Sequence, residues 1–181
     1  SLNSGGLSFP IGLGFYLPNG SANNYVSNNS GKWTIVSTTA DSYIAGRNFV
    51  VTEDITFVCR VTITSQANQV IFIGGAAVIG AADANDRIGF RIAGTGNIIA
   101  FCDNGGTETT RDSGAAPTGT QVLKIVISAG GTIVRFYIDD VQVGADVTTN
   151  IYASTLLLIM DFDSSSGLLS MDVHDAAYWE D

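Results

Sequence analysis

Positive charge is what this sequence has least of. Two lysines and six arginines stand against 17 acidic residues, for a formal net charge of -9 at pH 7. Eight scattered cations cannot build the basic patch that binds a phosphate backbone, so nucleic acid is not an expected partner. The same deficit argues against an anionic membrane surface. No run approaches the roughly 18 apolar residues that a membrane helix needs, so membrane insertion is not expected either. Charged residues make up 14% of the chain and hydrophobic ones 45%, the reverse of a disordered composition. At 181 residues the expectation is one folded domain with a sizeable core. The N-terminal stretch SLNSGGLSFPIGLGFYLPNG has neither a basic n-region nor a long apolar h-region, so it does not read as a signal peptide. A start at Ser1 rather than Met suggests a chain that has been processed or excised from something larger.

Histidine, glutamate and cysteine are also scarce. Cys59 and Cys102 lie alone in apolar runs and read as small buried hydrophobes, which leaves the redox compartment open. Lys, Glu and Gln are few while Thr, Val, Ile and Gly abound, and no window of twelve residues keeps a helical period. Period-2 alternation takes its place. From Ile55 to Thr64, Phe57, Cys59, Val61 and Ile63 share one face, with Thr56, Val58, Arg60, Thr62 and Thr64 on the other. Arg87 to Ala93 repeats the pattern, with Ile88, Phe90 and Ile92 inward. Ala129-Gly-Gly131 joins two strand runs as a hairpin, and Ser164-Ser-Ser-Gly167 joins two more. Short strands at this spacing predict an all-β sandwich or barrel. Residues 1–32 are rich in Gly, Ser and Asn without a clear period, and are expected to form an irregular N-terminal arm or linker. The sandwich is expected over 33–181.

Three segments carry a resemblance. Asp41 to Phe49 followed by Asp54 to Val61 looks like a pair of opening strands. Val134-Arg-Phe-Tyr-Ile-Asp-Asp-Val-Gln-Val-Gly144 is similar to a YVDG-x-x-x-G hairpin, with Asp140 where Gly is commoner. Leu168 to Trp179 looks like a closing strand that returns beside the first. Together they resemble the concanavalin A-like, or laminin-G-like, lectin and glucanase jelly-roll superfamily. That resemblance implies a two-sheet antiparallel sandwich. It also implies a role among lectins, adhesion modules, glycanases and virion proteins, without choosing one.

Chemistry is harder to find than fold. Glycoside hydrolysis needs two carboxyls facing one sugar, and glycanases of this resemblance carry E-x-D-x-x-E on one strand. The three glutamates, Glu53, Glu108 and Glu180, fall in no such pattern, and the adjacent Glu53 and Asp54 would point to opposite faces of a strand. The only histidine, His174, reads as a surface strand residue beside Asp172 and Asp175, and no G-x-S-x-G elbow exists. Without a Cys/His cluster zinc is not expected. Oxygen ligands for calcium are offered by Asp83, Asn85 and Asp86 in one loop and by Asp161 and Asp163 in another, although Asp, Asn and Ser are also ordinary turn formers.

Recognition of a sugar needs planar polar groups and an aromatic platform. Arg60, Arg91 and Arg135 occupy outward strand positions, Arg111 is expected to do the same, and Tyr137 shares the face of Arg135. If these strands belong to one sheet, they form an Arg/Tyr/Thr face suited to a sugar or acidic group. On an exposed sheet, arginines also simply pair with neighbouring Asp and Thr. Trp33, Tyr178 and Trp179 are expected to pack where the first and last strands meet. The expectation is a non-catalytic carbohydrate- or surface-recognition module, extracellular or on a virion surface, with a glycan or cell-surface polysaccharide as partner. The alternative is a virion structural protein, such as a phage head-decoration or tail-fibre domain, docking other subunits through residues 1–32. A glycoside hydrolase ranks third.

Overall fold

A computed structural model describes residues 7–8, 14–15, 25–29, 32–37, 42–66, 70–77, 85–93, 96–163 and 169–180. They form fifteen strands and, among the described residues, no helix, as the Thr/Val/Ile-rich alternation requires. The chain order is β1 (Leu7–Ser8), β2 (Gly14–Phe15), β3 (Tyr25–Asn29), β4 (Lys32–Ser37) and β5 (Ser42–Val50). Then follow β6 (Ile55–Gln66), β7 (Val70–Ala76), β8 (Arg87–Ala93), β9 (Ile98–Asn104) and β10 (Thr107–Asp112). The last five are β11 (Thr120–Ser128), β12 (Ile133–Ile138), β13 (Val141–Gln142), β14 (Thr155–Asp163) and β15 (Leu169–Glu180).

Two antiparallel sheets pack face to face. The six-stranded sheet has the order β10-β9-β8-β7-β14-β5, the seven-stranded sheet β13-β12-β11-β6-β15-β4-β3, and β1 pairs with β2 apart from both. The closing strand β15 lies between β6 and β4, so the chain ends beside its opening strands. The inward residues follow the alternation. Phe57, Cys59 and Val61 of β6 and Leu123, Ile125 and Ile127 of β11 share one core with Ile71 and Ile73 of β7 and Ile88, Phe90 and Ile92 of β8. Phe90 meets Phe136 of the opposite sheet edge to face, ring centroids 5.4 Å apart. Each such buried side chain contributes about 1.5–3 kcal/mol of transfer free energy.

The turns carry the positive-φ residues that tight hairpins demand. Asp139 and Asp140 sit at φ 50° and 63° between the paired Ile138 and Val141, giving a two-residue turn with both central residues left-handed. Asp at this position tolerates what Gly would adopt freely. In the β11–β12 turn, Gly131 has φ 82°, and a Cβ there would stand 2.3 Å from the Val51 carbonyl oxygen. That close approach admits only glycine.

Four expectations change. The runs on either side of residues 164–167 do not pair as a hairpin: β14 lies between β7 and β5 in one sheet and β15 between β6 and β4 in the other, so both edges of each strand are already taken. Residues 1–32 are not uniformly an irregular arm: Tyr25–Asn29 is β3, the edge strand of the seven-stranded sheet, in register with β4 from Asn29↔Lys32 to Tyr25↔Val36. Asp161 and Asp163 lie within β14 rather than in a loop, because pairing with β7 continues to Asp163↔Val70. Trp179 is 44% exposed rather than packed, while Tyr178 turns inward onto Phe49 at 6.1 Å. Cys59 and Cys102 are buried and unbonded, on strands of opposite sheets. Burial pushes the Cys102 thiol up to about 12, against a smaller opposing effect of Arg111; burial, assisted by Asp175, raises the Cys59 thiol as well.

Two measurements check this core. Phe90→Ala is expected to lower unfolding stability by about 3–5 kcal/mol in urea titration, and a loss under 1 kcal/mol would show that the core is not built around this ring. Both thiols are expected to stay unreactive toward a thiol reagent at pH 8 until the chain unfolds, since only the thiolate attacks.

Candidate functional site

Period 2 tells which residues share a face of one strand; strand order decides which faces become one surface. The five residues expected to line a sugar face divide between the two sheets. Arg60 (β6), Arg135 and Tyr137 (β12) lie on the seven-stranded sheet, whereas Arg91 (β8) and Arg111 (β10) lie on the six-stranded one. A single Arg/Tyr face therefore does not exist. On the seven-stranded sheet Arg60 pairs with Asp175 at 2.6 Å, and Arg135 bonds Asp146 through Nε at 3.0 Å. Tyr137 carries Lys124 over its ring at 4.6 Å, and Lys124 also pairs with Asp140 at 2.7 Å.

A bulge positions one of these partners. The register of β15 against β6 shifts between Val173 and Asp175, which leaves His174 as the extra residue. Unbroken alternation would send Asp175 inward with Met171 and Val173. The bulge turns it out to Arg60 and brings Ala176 into the core instead. His174 shares a 2.8 Å hydrogen bond between Nε2 and the Thr62 hydroxyl, and Thr62 in turn meets Thr120 at 2.7 Å. Asp172 accepts a bond from Thr34 at 2.6 Å.

Arg111 corrects its expected direction. Its register partner is Ala100, a core residue, so its side chain leaves the inner face of β10. At this edge strand it meets the β13–β14 connection rather than the core. It donates from Nε to the Ala145 carbonyl at 2.9 Å, from a terminal nitrogen to the Asp146 carbonyl at 3.1 Å, and to Thr110 at 2.9 Å. Asp146 is the other half of this clamp. Its carboxylate accepts from Arg135 and, at 2.9 Å, from the Gln142 amide nitrogen Nε2. Those bonds, Arg135 first, hold its pKa below the usual carboxylate value. The clamp thus ties the edge strand of one sheet to β12 of the other.

The outer face of the six-stranded sheet holds a second apolar cluster that the sequence did not single out: Phe72, Ala76, Phe101 and Ile159. Phe72 and Phe101 meet edge to face at 5.8 Å. Gly89 leaves the space for Phe72, since a Cβ there would stand 2.6 Å from the ring. Arg87, buried, lies 5.2 Å from the Phe72 centroid. Arg91 lies 4.8 Å from the Phe101 centroid and grips Glu108 with two nitrogens at 2.6 and 3.0 Å. The Arg91 and Glu108 side chains remain 32% and 30% exposed. Sequence reasoning did not bring Arg87, Phe101 and Glu108 together, because the pairing that joins them spans three strands.

Between the two sheet edges opens a cleft of about 240 Å³. Ile98, Ile138 and Val143 supply apolar lining, and Asp112, Gln121 and Gln142 supply polar groups. Its lip is Val141, 71% exposed.

The described part of the first proposed calcium loop holds turn bonds. Asp86, at φ 70°, accepts from the Gly105 N–H at 2.8 Å, and Asp103 accepts from Gly106 at 2.8 Å. Asn85 lies beside Gly106. Asp83 lies outside the described residues, as do the side chains of Asp161 and Asp163. Among the described residues no group of three His, Cys, Asp or Glu is placed to hold a metal. Nor is any helix there long and apolar enough to cross a membrane.

Solved structures share this architecture. A sialidase superposes with a TM-score of 0.68 at 8% identity over 91% of this chain, which spans 17% of that protein. A Bacillus licheniformis beta-glucanase gives 0.67 at 13% identity, covering 96% of this chain and 93% of the glucanase. Carbohydrate binding module CBM66 from Bacillus subtilis gives 0.62 at 13%, covering 94% of this chain and 99% of the module. The fold is a concanavalin A-like jelly roll. At these identities the likeness is one of fold. No protein-family model matches the chain, and no curated protein matches it.

Within this jelly roll the three glutamates are dispersed. Glu53 is in the exposed turn before β6, Glu180 accepts from the Tyr178 hydroxyl at 2.6 Å, and Glu108 is held by Arg91. Glu108 does face a carboxyl in register, Asp103, but Asp103 is buried on the Gly106 turn.

The clamp predicts a pH signature. A carboxyl whose folded pKa is depressed stabilises the fold above its unfolded pKa, and that contribution is lost as pH falls through the folded value. Asp146 is expected to titrate below its ordinary value in carboxyl-resolved NMR, and Arg135→Met is expected to return it upward. An unshifted Asp146 in the native chain would contradict the clamp.

Proposed function

We propose that this chain is a non-catalytic carbohydrate-recognition module acting outside the cell. The observation that carries the reading is the Arg91–Glu108 pair laid over Phe101 on the outer face of the six-stranded sheet. A sugar presents hydroxyls around its rim and C–H groups on its faces. A partly exposed planar fork, held in place by the buried Phe101 ring beneath it, offers donors and acceptors in one plane. The fork is preformed, so little side-chain entropy is lost when a ligand docks. The fold supports the reading, because proteins of this architecture include one named as a carbohydrate binding module and others named for action on glycans.

Binding without turnover is favoured by the disposition of the carboxyls. Hydrolysis needs an acid and a base or nucleophile both facing the scissile bond. Here Glu108 is occupied by a bidentate arginine and its neighbour Asp103 by a buried turn.

Calorimetric titration with a panel of neutral and acidic oligosaccharides tests this. Binding is expected, with Arg91→Met weakening it about tenfold, in line with the loss of hydrogen bonds to a charged group. No binding by any oligosaccharide would overturn the reading. Release of reducing ends that Glu108→Gln abolishes would overturn its non-catalytic part.

A further inference from the structure

We infer that the cleft between the two sheet edges is a binding subsite for one uncharged sugar ring, continuous with the Arg91 surface; this rests on the carbohydrate reading above. Placement comes first. Asp112 on β10 pairs with Ile99 on β9, and Ile99 pairs with Arg91 on β8. Asp112 therefore stands on the same outward row as Arg91, two interstrand spacings away, or about 10 Å. That row ends at the cleft, because Asp112 lines it. A chain of sugars crossing β9 and β10 from the Arg91 fork arrives there.

The lining then selects the ligand. Asp112 Oδ1 is used by Asn97 Nδ2 at 2.9 Å and by the Gly114 N–H at 2.7 Å. Gln121 accepts from the Thr118 N–H through Oε1, and Gln142 donates to Asp146 through Nε2. This leaves Asp112 Oδ2, Gln142 Oε1 and the Gln121 amide nitrogen without hydrogen bonds among the described residues. Two acceptors and one amide donor suit a group that brings mostly O–H donors. Val141 and Val143 add apolar surface for C–H faces.

Charge excludes the acidic sugars. No lysine, arginine or histidine lines the cleft. The nearest arginine, Arg111, packs its Cδ against Gly144 and spends its guanidinium on three carbonyl oxygens. An anionic ligand would meet the Asp112 carboxylate with no cation to offset it, and like charges at close range repel. A neutral pyranose pays no such cost. The clamp also braces the subsite, since the amide of Gln142, a lining residue, is held by Asp146.

The test uses the full chain, a glucose tetrasaccharide and a uronic acid tetrasaccharide. Amide NMR and calorimetry are read for the native chain and for Gln121→Leu, Asp112→Asn and Arg91→Met. Asn at 112 keeps the Oδ1 bonds, so the turn persists; unchanged amide spectra away from the cleft check folding. The expected result is that the neutral tetrasaccharide shifts amides of residues 112–115, 121 and 141–144. Gln121→Leu and Asp112→Asn are each expected to weaken it about fivefold. The uronic acid tetrasaccharide is expected to leave these amides unmoved. If the neutral sugar binds, Arg91→Met weakens it, and the cleft variants and amides do not respond, the subsite is overturned while the carbohydrate reading stands. If the uronic acid sugar shifts the cleft amides as strongly as the neutral one, the charge selection is overturned. If neither sugar binds, both inferences fall.

Discussion

The structure depends on one apolar layer shared by two sheets. Each sheet must bury one face, and neither can do so alone. The demand fixes the direction of every second side chain from β6 to β15. Phe90 meets Phe136 across that layer, and Cys59 and Cys102 are buried in it. Where the demand conflicts with charge, the backbone yields. The β15 bulge at His174 exists in a strand whose regular period would have driven Asp175 into the core, and the extra residue restores both the ion pair with Arg60 and the burial of Ala176.

Sandwiches have open edges, and this one manages its edge with charge-assisted bonds. Arg111 leaves the inner face of β10 at the point where no opposing strand covers it, and its guanidinium meets the carbonyls of Ala145 and Asp146. Arg135 approaches the same Asp146 from the opposite sheet. Individually such exposed contacts are weak. Their effect here is geometric: they set how far apart β10 and the β12–β13 hairpin stand, and hence the width of the cleft beside them. The arginines that seemed available for an external ligand are thus largely engaged within the molecule. What remains for recognition is a fork that is already paired, and a cleft lined by amides, a carboxylate and valines.

Much of the fold was legible. The strict alternation at Ile55–Thr64 and Arg87–Ala93 corresponds to β6 and β8, and the Ala129–Gly131 turn to the β11–β12 hairpin, because period and turn chemistry are local properties; the hairpin expected across residues 164–167 fails, because pairing of the flanking strands is not local. The jelly-roll resemblance anticipated the return of the last strand beside the opening ones. Less of the site was legible. Arg91 and Arg135 are outward as expected, but the partners that define them, Glu108 and Asp146, lie 17 and 11 residues away in sequence. Phe72 and Phe101 form a cluster only through pairing across β7, β8 and β9, and nothing near either phenylalanine signals the other.

By itself, then, the sequence determined the strand character and the two faces of the strictly alternating strands β6 and β8, since these follow from backbone sterics and burial within a few residues. It also determined the shortage of cations. Only the tertiary structure decided which sheet each strand joins, that Arg60, Arg91, Arg111 and Arg135 divide between the sheets, and that Arg111 caps an edge. The reason is that strand pairing is a non-local choice. Alternation is equally satisfied by any neighbour that buries the same face, and only the simultaneous packing of both sheets selects one order.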